Sequence, residues 1–142
     1  MIKGTMNVLI ITDGTELIQK AALAIKESLS SISKTAKPKV KICCADTFKG
    51  DELLPADVFF LGCTQPSPPS FSWLQNMLSH INLASRKCGI FGLDKKTNTY
   101  LLSILKDSEA KTGESLLTQT LFDSKGKIKS SEIKKWVKQI IK

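Results

Sequence analysis

Between Asn7 and Ile25 the sequence NVLIITDGTELIQKAALAI passes from a continuous apolar run, through Thr-Asp-Gly-Thr, into residues whose apolar positions recur at helical spacing. This is a buried strand, a tight turn and an amphipathic helix with almost no loop between them. Where such a unit recurs along a chain, the alternation implies a parallel sheet covered by helices on both faces. The same turn has chemical meaning. The first N–H groups of a helix lack carbonyl partners inside it, and its dipole concentrates partial positive charge there, so the turn suits an anion such as a phosphate.

The pattern repeats along the chain. Strands are expected at Asn7–Thr12, Lys39–Cys44, Asp57–Gly62, Lys87–Gly92 and Ser115–Phe122. Helical spacing is expected from about Thr15 to Leu29, with Leu17, Ala21, Ala22, Ile25 and Leu29 on one face, and again over Phe71–His80 with Leu74, Met77, Leu78 and Ile81. A third helix bears Leu101, Ile104 and Leu105 and is expected to end near Gly113. A fourth opens at Ser130 or Ser131 and buries Ile133, Trp136, Val137, Ile140 and Ile141. Ser30–Lys37 reads as a polar loop, and Asp51–Leu54 has room for about one helical turn before Pro55. Alternating strands and helices imply a three-layer α/β domain, a parallel sheet covered on both faces, spanning residues 1–142 as one unit with residues 1–5 as a tail without assigned role. In such a sheet ligands bind outside the carboxyl ends of the strands, which directs attention to Thr12–Glu16, Cys63–Ser70 and Leu93–Thr99.

Composition limits the chemistry. With 42% hydrophobic residues in 142, the chain can bury a core without disulfide or metal support. No apolar run approaches the roughly 20 residues of a membrane span, and no secretory signal pattern opens the chain, so a cytoplasmic protein is expected. Cys43, Cys44, Cys63 and Cys88 lack paired spacing and sit in apolar runs; with His80 the one histidine, they read as buried reduced thiols and give no metal site. A single histidine without surrounding motif also supplies no Ser-His-Asp or Cys-His arrangement, so no catalytic residue is assigned. At the end of a helix, His80 has a stabilising role with the helix dipole. The net charge of +8 is concentrated near the C-terminus, where Lys125–Lys142 holds seven lysines against one acid, Glu132. With no arginine there, and Trp136 assigned to the buried face rather than set among the lysines to stack on bases, the lysines read as a solvated helix face, and nucleic acid is not the expected partner.

At the three loops the chain resembles a flavodoxin. The likeness is carried by PADVFFLGCTQP and KCGIFGLD, by the short second connection and by the order of elements, and it extends from about Asn7 to Ile141. It implies a doubly wound five-stranded parallel sheet in the order 2-1-3-4-5, non-covalent FMN binding and electron transfer. By the same resemblance, the FMN phosphate belongs in the turn Thr12, Asp13, Gly14, Thr15 and Glu16, with hydroxyls from Thr12 and Thr15. Thr64, Gln65 and Pro66 then meet the ribityl chain or one ring edge, and Gly92, Leu93 and Asp94 the pyrimidine side. Trp73 or Phe71 on one side and Tyr100 on the other are the aromatic candidates for stacking on the ring.

Two departures bear on function. Thr-Asp-Gly-Thr-Glu is one residue shorter than the family's TxTGxTE, and Asp13 adds a carboxylate where a phosphate would approach, at a cost on the order of 1 kcal/mol or more. Asp13 and Glu16 also fit a capping box at the start of the helix. Flavodoxins that carry electrons are acidic, whereas this chain is basic, so a redox partner would have to be acidic. Two functions follow: an FMN-dependent electron carrier, or a flavodoxin-fold domain that has lost FMN and serves as a protein-binding or regulatory module. Each candidate residue has a structural role that competes with ligand binding, since Thr and Gly suit any tight strand-to-helix turn, Trp73 and Tyr100 can cover the core, and Asp94 can cap a helix.

Overall fold

The computed structural model describes residues 6–32, 38–48, 51, 53 and 55–141. The tail of residues 1–5 lies outside them, as do residues 33–37 of the polar loop and Glu52 and Leu54 of the short turn. Five strands form the sheet: β1 (Met6–Thr12), β2 (Pro38–Cys44), β3 (Val58–Gly62), β4 (Lys87–Ile90) and β5 (Lys111–Thr112). All neighbours are parallel and the order is β2-β1-β3-β4-β5. The helices are α1 (Glu16–Ile32), α2 (Ser72–Leu78), α3 (Lys95–Leu105) and α4 (Ser130–Ile141), with short 3-10 turns at Pro69–Phe71, Lys106–Ser108 and Thr118–Leu121.

Side-chain alternation along the central strands divides the core into two layers. Val8, Ile10, Val58 and Phe60 pack with α1 and α4 through Ile18, Ala21, Ile25, Ile133 and Val137. Leu9, Ile11, Phe59 and Leu61 face the other way, onto Leu74 and Leu78 of α2 and Leu101 and Leu105 of α3. A strand buried on both faces reads as a continuous apolar run, as VLII and VFFL do. Each fully buried Ile, Leu or Phe in these layers contributes roughly 1.5–3 kcal/mol.

The fifth strand corrects the expectation of Ser115–Phe122. The regular ladder is confined to Lys111–Thr112, and Thr118–Leu121 is a 3-10 turn. The cause is one extra residue. Lys111 and Gly113 donate to the carbonyls of Arg86 and Cys88, and Leu116 and Thr118 to those of Ile90 and Gly92. Three residues therefore separate Gly113 from Leu116 where β4 advances by two, a bulge that ends regular pairing while the chain keeps running beside β4. Trp136 pins the bulge, its Nε1–H donating to the Glu114 carbonyl at 2.6 Å. The third helix also ends earlier than Gly113, at Leu105, and the 3-10 turn after it closes on Glu109 in a left-handed conformation (φ 62°).

Candidate functional site

The carboxyl ends of β1, β3 and β4 deliver the three loops to one edge of the sheet, where backbone bonds link the turn after β1 to the segment after β2, and the loop after β3 to that after β4. Ala45 N–H donates to the Thr12 carbonyl at 2.8 Å, Leu93 N–H to that of Cys63 at 3.0 Å, and Gln119 N–H to that of Leu93 at 3.2 Å. Thr12 is fully buried as the last residue of β1, and its hydroxyl donates to Gln19 Oε1 at 2.9 Å while accepting from the Gly14 amide at 3.2 Å. Gly14 has φ +81°, and a Cβ there would lie 2.6 Å from Cys44 Sγ, so the turn admits only glycine on two counts.

Asp13 is the centre of the arrangement. Its Oδ1 accepts from the Thr15 amide at 3.1 Å and the Thr15 hydroxyl at 2.6 Å. Its Oδ2 accepts from the Thr64 amide at 2.8 Å and the Thr64 hydroxyl at 2.9 Å. One carboxylate thus ties the β1–α1 turn to the loop after β3. This corrects the capping box. Thr15, whose carbonyl accepts the first helical bond from Gln19, precedes the first residue of α1, so Asp13 stands too early to cap that turn with Glu16 as its reciprocal partner. Glu16 is exposed.

The third loop is held from within as well. Asp94 is the N-cap of α3, accepting from Thr97 Oγ1 at 2.7 Å and from the Thr97 amide at 3.0 Å, and these bonds hold its carboxyl below the ordinary value. Asn98, nearly buried, accepts from the Gly92 amide at 2.7 Å and donates to the Leu116 carbonyl at 3.1 Å. Thr118 Oγ1 donates to the Gly92 carbonyl at 3.1 Å. Gly92 and Leu93 are thereby fixed by residues that carry no recognisable motif.

The loop after β3 leaves Gln65 and Pro66 exposed and places Ser67 in a left-handed conformation (φ 50°). Of the aromatic candidates, Phe71 is fully buried in the core and presents no face at this edge. Trp73 is 47% exposed, its ring in an edge-type contact with that of Phe48 at a centroid distance of 5.7 Å. Tyr100 is half-buried and donates its hydroxyl to Gln75 Oε1 at 3.0 Å; burial and the neighbouring Cys63 push its phenol up to about 12.

The thiols report the charge of this edge. Burial, then Asp13 and, least, Asp94 push Cys63 up to about 12, although the Gln65 backbone acts the other way. Burial, Asp46 and Asp13 raise Cys44. Cys63 and Cys88 are buried, but Cys43 and Cys44 are partly exposed, correcting the expectation that all four are buried; none of the four is in a disulfide. No cluster of three or more His, Cys, Asp or Glu suited to a metal occurs among the described residues. A cleft of about 380 Å3 bordered by Asn7, Lys39 and Pro55 lies at the opposite, amino end of the sheet.

No family model matches the sequence, and no curated protein matches it either. Solved structures do. The Streptococcus pneumonia TIGR4 flavodoxin superposes with a TM-score of 0.76 at 12% identity, covering 96% of this chain and 98% of that one. The chain has the flavodoxin fold. Oxidised flavodoxin 2 from Bacillus cereus gives a TM-score of 0.72 at 18% identity over 95% of this chain and 97% of that one. A short-chain flavodoxin associated with a non-canonical PDU bacterial microcompartment gives 0.72 at 12% identity, over 99% and 97%. Likeness at these identities extends to the fold and stops there.

Whether the turn of this flavodoxin fold fits an FMN phosphate is decided by its donors. Thr15 and Thr64 already give both amide and hydroxyl to Asp13, and the Thr12 hydroxyl is given to Gln19. A phosphate dianion brought to this turn would meet the Asp13 carboxylate where the Thr15 and Thr64 donors point, with Asp46 and Asp94 contributing further negative charge nearby. As placed, the donors of Thr12, Thr15 and Thr64 do not fit the group.

Proposed function

We propose that this chain is a flavodoxin-fold binding module that works without FMN and acts by docking another protein. The observation that carries the reading is the Asp13 carboxylate, which holds the donors of Thr15 and Thr64. The surface that serves docking is the solvent side of α4, where Lys134, Lys135 and Lys138 are exposed beside Lys125, Lys127 and Lys129 of the preceding connection. A lysine-rich helix face with no arginine suits an acidic protein surface, and such an association weakens as salt rises. No helix among the described residues is long and apolar enough to cross a membrane.

A second reading, FMN binding with electron transfer to an acidic partner, is favoured by one feature. Trp73 keeps 47% of its surface exposed on the side of the sheet where Phe48 follows β2, as a ring-stacking residue would. On that reading Thr12–Glu16, Thr64–Pro66, Gly92–Asp94 and Tyr100 line the cofactor, and electron transfer belongs to the flavin while the chain orients it.

A titration with FMN, followed by flavin fluorescence and visible absorption, separates the two. The first reading predicts no saturable quenching by the folded wild-type protein. It also predicts that Asp13→Asn, and separately an Asn inserted between Gly14 and Thr15, bring the turn nearer to the family's and raise flavin affinity. Micromolar or tighter binding by the wild type, with both aromatic and turn substitutions weakening it, would establish the second reading instead.

A further inference from the structure

We infer that Asp13 is a built-in anion: its carboxylate takes the structural place of a bound phosphate, locking the turn after β1 to the loop after β3 with no ligand required. The inference rests on the reading that the chain works without FMN and names what holds this edge together instead.

The bonding is what sets Asp13 apart from an ordinary helix cap. A capping side chain satisfies donors of its own helix, and one oxygen suffices for that. Here Oδ1 accepts from Thr15, the residue before α1, while Oδ2 reaches Thr64, 51 residues away, and accepts a second amide and hydroxyl. Each oxygen receives two donors, a pattern expected of an oxyanion bound between two loops. Without the carboxylate, the Thr15 and Thr64 donors would converge on a point with no acceptor. The carboxylate is also held in place from behind, because Gly14 is packed against Cys44 Sγ and its amide is bonded to Thr12.

The charge around the turn agrees. Asp13 is among the groups that push both Cys44 and Cys63 toward the neutral thiol, so it acts as a negative charge on both sides of β1. Asp46 and Asp94 add to that field. An external dianion would enter a region already supplied with negative charge, whereas the internal carboxylate completes it.

The test is thermal stability with inorganic phosphate against sodium chloride at equal ionic strength. The wild type is expected to melt at the same temperature in both. Asp13→Ala is expected to lose roughly 3–8 °C in chloride and to recover at least half of the loss in phosphate. An unchanged melting temperature in Asp13→Ala, or a loss that phosphate does not restore, would overturn the inference. If Asp13→Ala does not fold, Asp13→Asn keeps the shape of the side chain, and amide hydrogen exchange reads the two loops separately. Faster exchange at both Thr15 and Thr64 supports the lock; faster exchange at Thr15 alone means that Asp13 only caps its own turn. FMN titration of the wild type reports on the proposed function and is independent of these outcomes.

Discussion

At the scale of single residues, the turn after β1 depends on atoms that must coincide. Gly14 has φ +81° and approaches Cys44 closely, so Gly14→Ala introduces both left-handed strain and a contact of 2.6 Å. We expect a stability loss of about 1–3 kcal/mol, read as a lower urea midpoint with unchanged slope. The glycine and the threonines of this turn are visible in the sequence because a strand-to-helix turn demands such residues. The partner of Asp13 is not. Nothing in the spacing between Asp13 and Thr64 encodes their contact, since it depends on β1 and β3 being neighbours and on where each strand ends. Phe71 and Trp73 illustrate the same limit: two aromatics two residues apart, of which folding buries one completely and leaves the other half exposed.

At the scale of elements, long periodic segments were readable and short ones were not. The alternation of apolar runs with helical spacing locates β1, β3, α1 and α4, because each presents a whole face to the core. β5 has two residues in regular pairing, too few for any pattern, and the ladder beyond it is displaced by the bulge at Glu114 and Ser115. The residue that stabilises this bulge, Trp136, was legible only as an apolar position of α4; its role as a donor to the Glu114 carbonyl required the fold. Trp136→Phe retains most of the buried ring and its contacts with Phe60 and Phe91 but removes that donor. The expected cost is about 1–3 kcal/mol, and hydrogen exchange should rise first at the Leu116 and Thr118 amides, which pair the bulged segment with β4.

At the scale of the whole molecule, the two core layers, the five parallel strands and their order follow from the alternation and the flavodoxin resemblance together. The charge distribution distinguishes two surfaces: carboxylates Asp13, Asp46 and Asp94 around the turn and its neighbouring loops, and exposed lysines on and before α4. Burial of ionisable side chains gives the molecule a direction of pH sensitivity. Cys63 and Tyr100 are held neutral to about 12, so between the ordinary thiol value of 9.0 and 12 the unfolded chain releases protons that the folded chain keeps. Their contribution is complete below pH 9 and is lost as pH rises through that window. Urea midpoints measured from neutral to alkaline pH are expected to fall, and Cys63→Ala to fall less steeply than the wild type.

The central claim is that Asp13 satisfies the donors of Thr15 and Thr64 and leaves no place for a cofactor phosphate. Amide NMR spectra of the folded wild-type protein with increasing FMN test it most directly. The account predicts that the Thr15 and Thr64 resonances stay where they are; saturable movement of both, with loops Gly92–Asp94 and Thr64–Pro66 following, would contradict it.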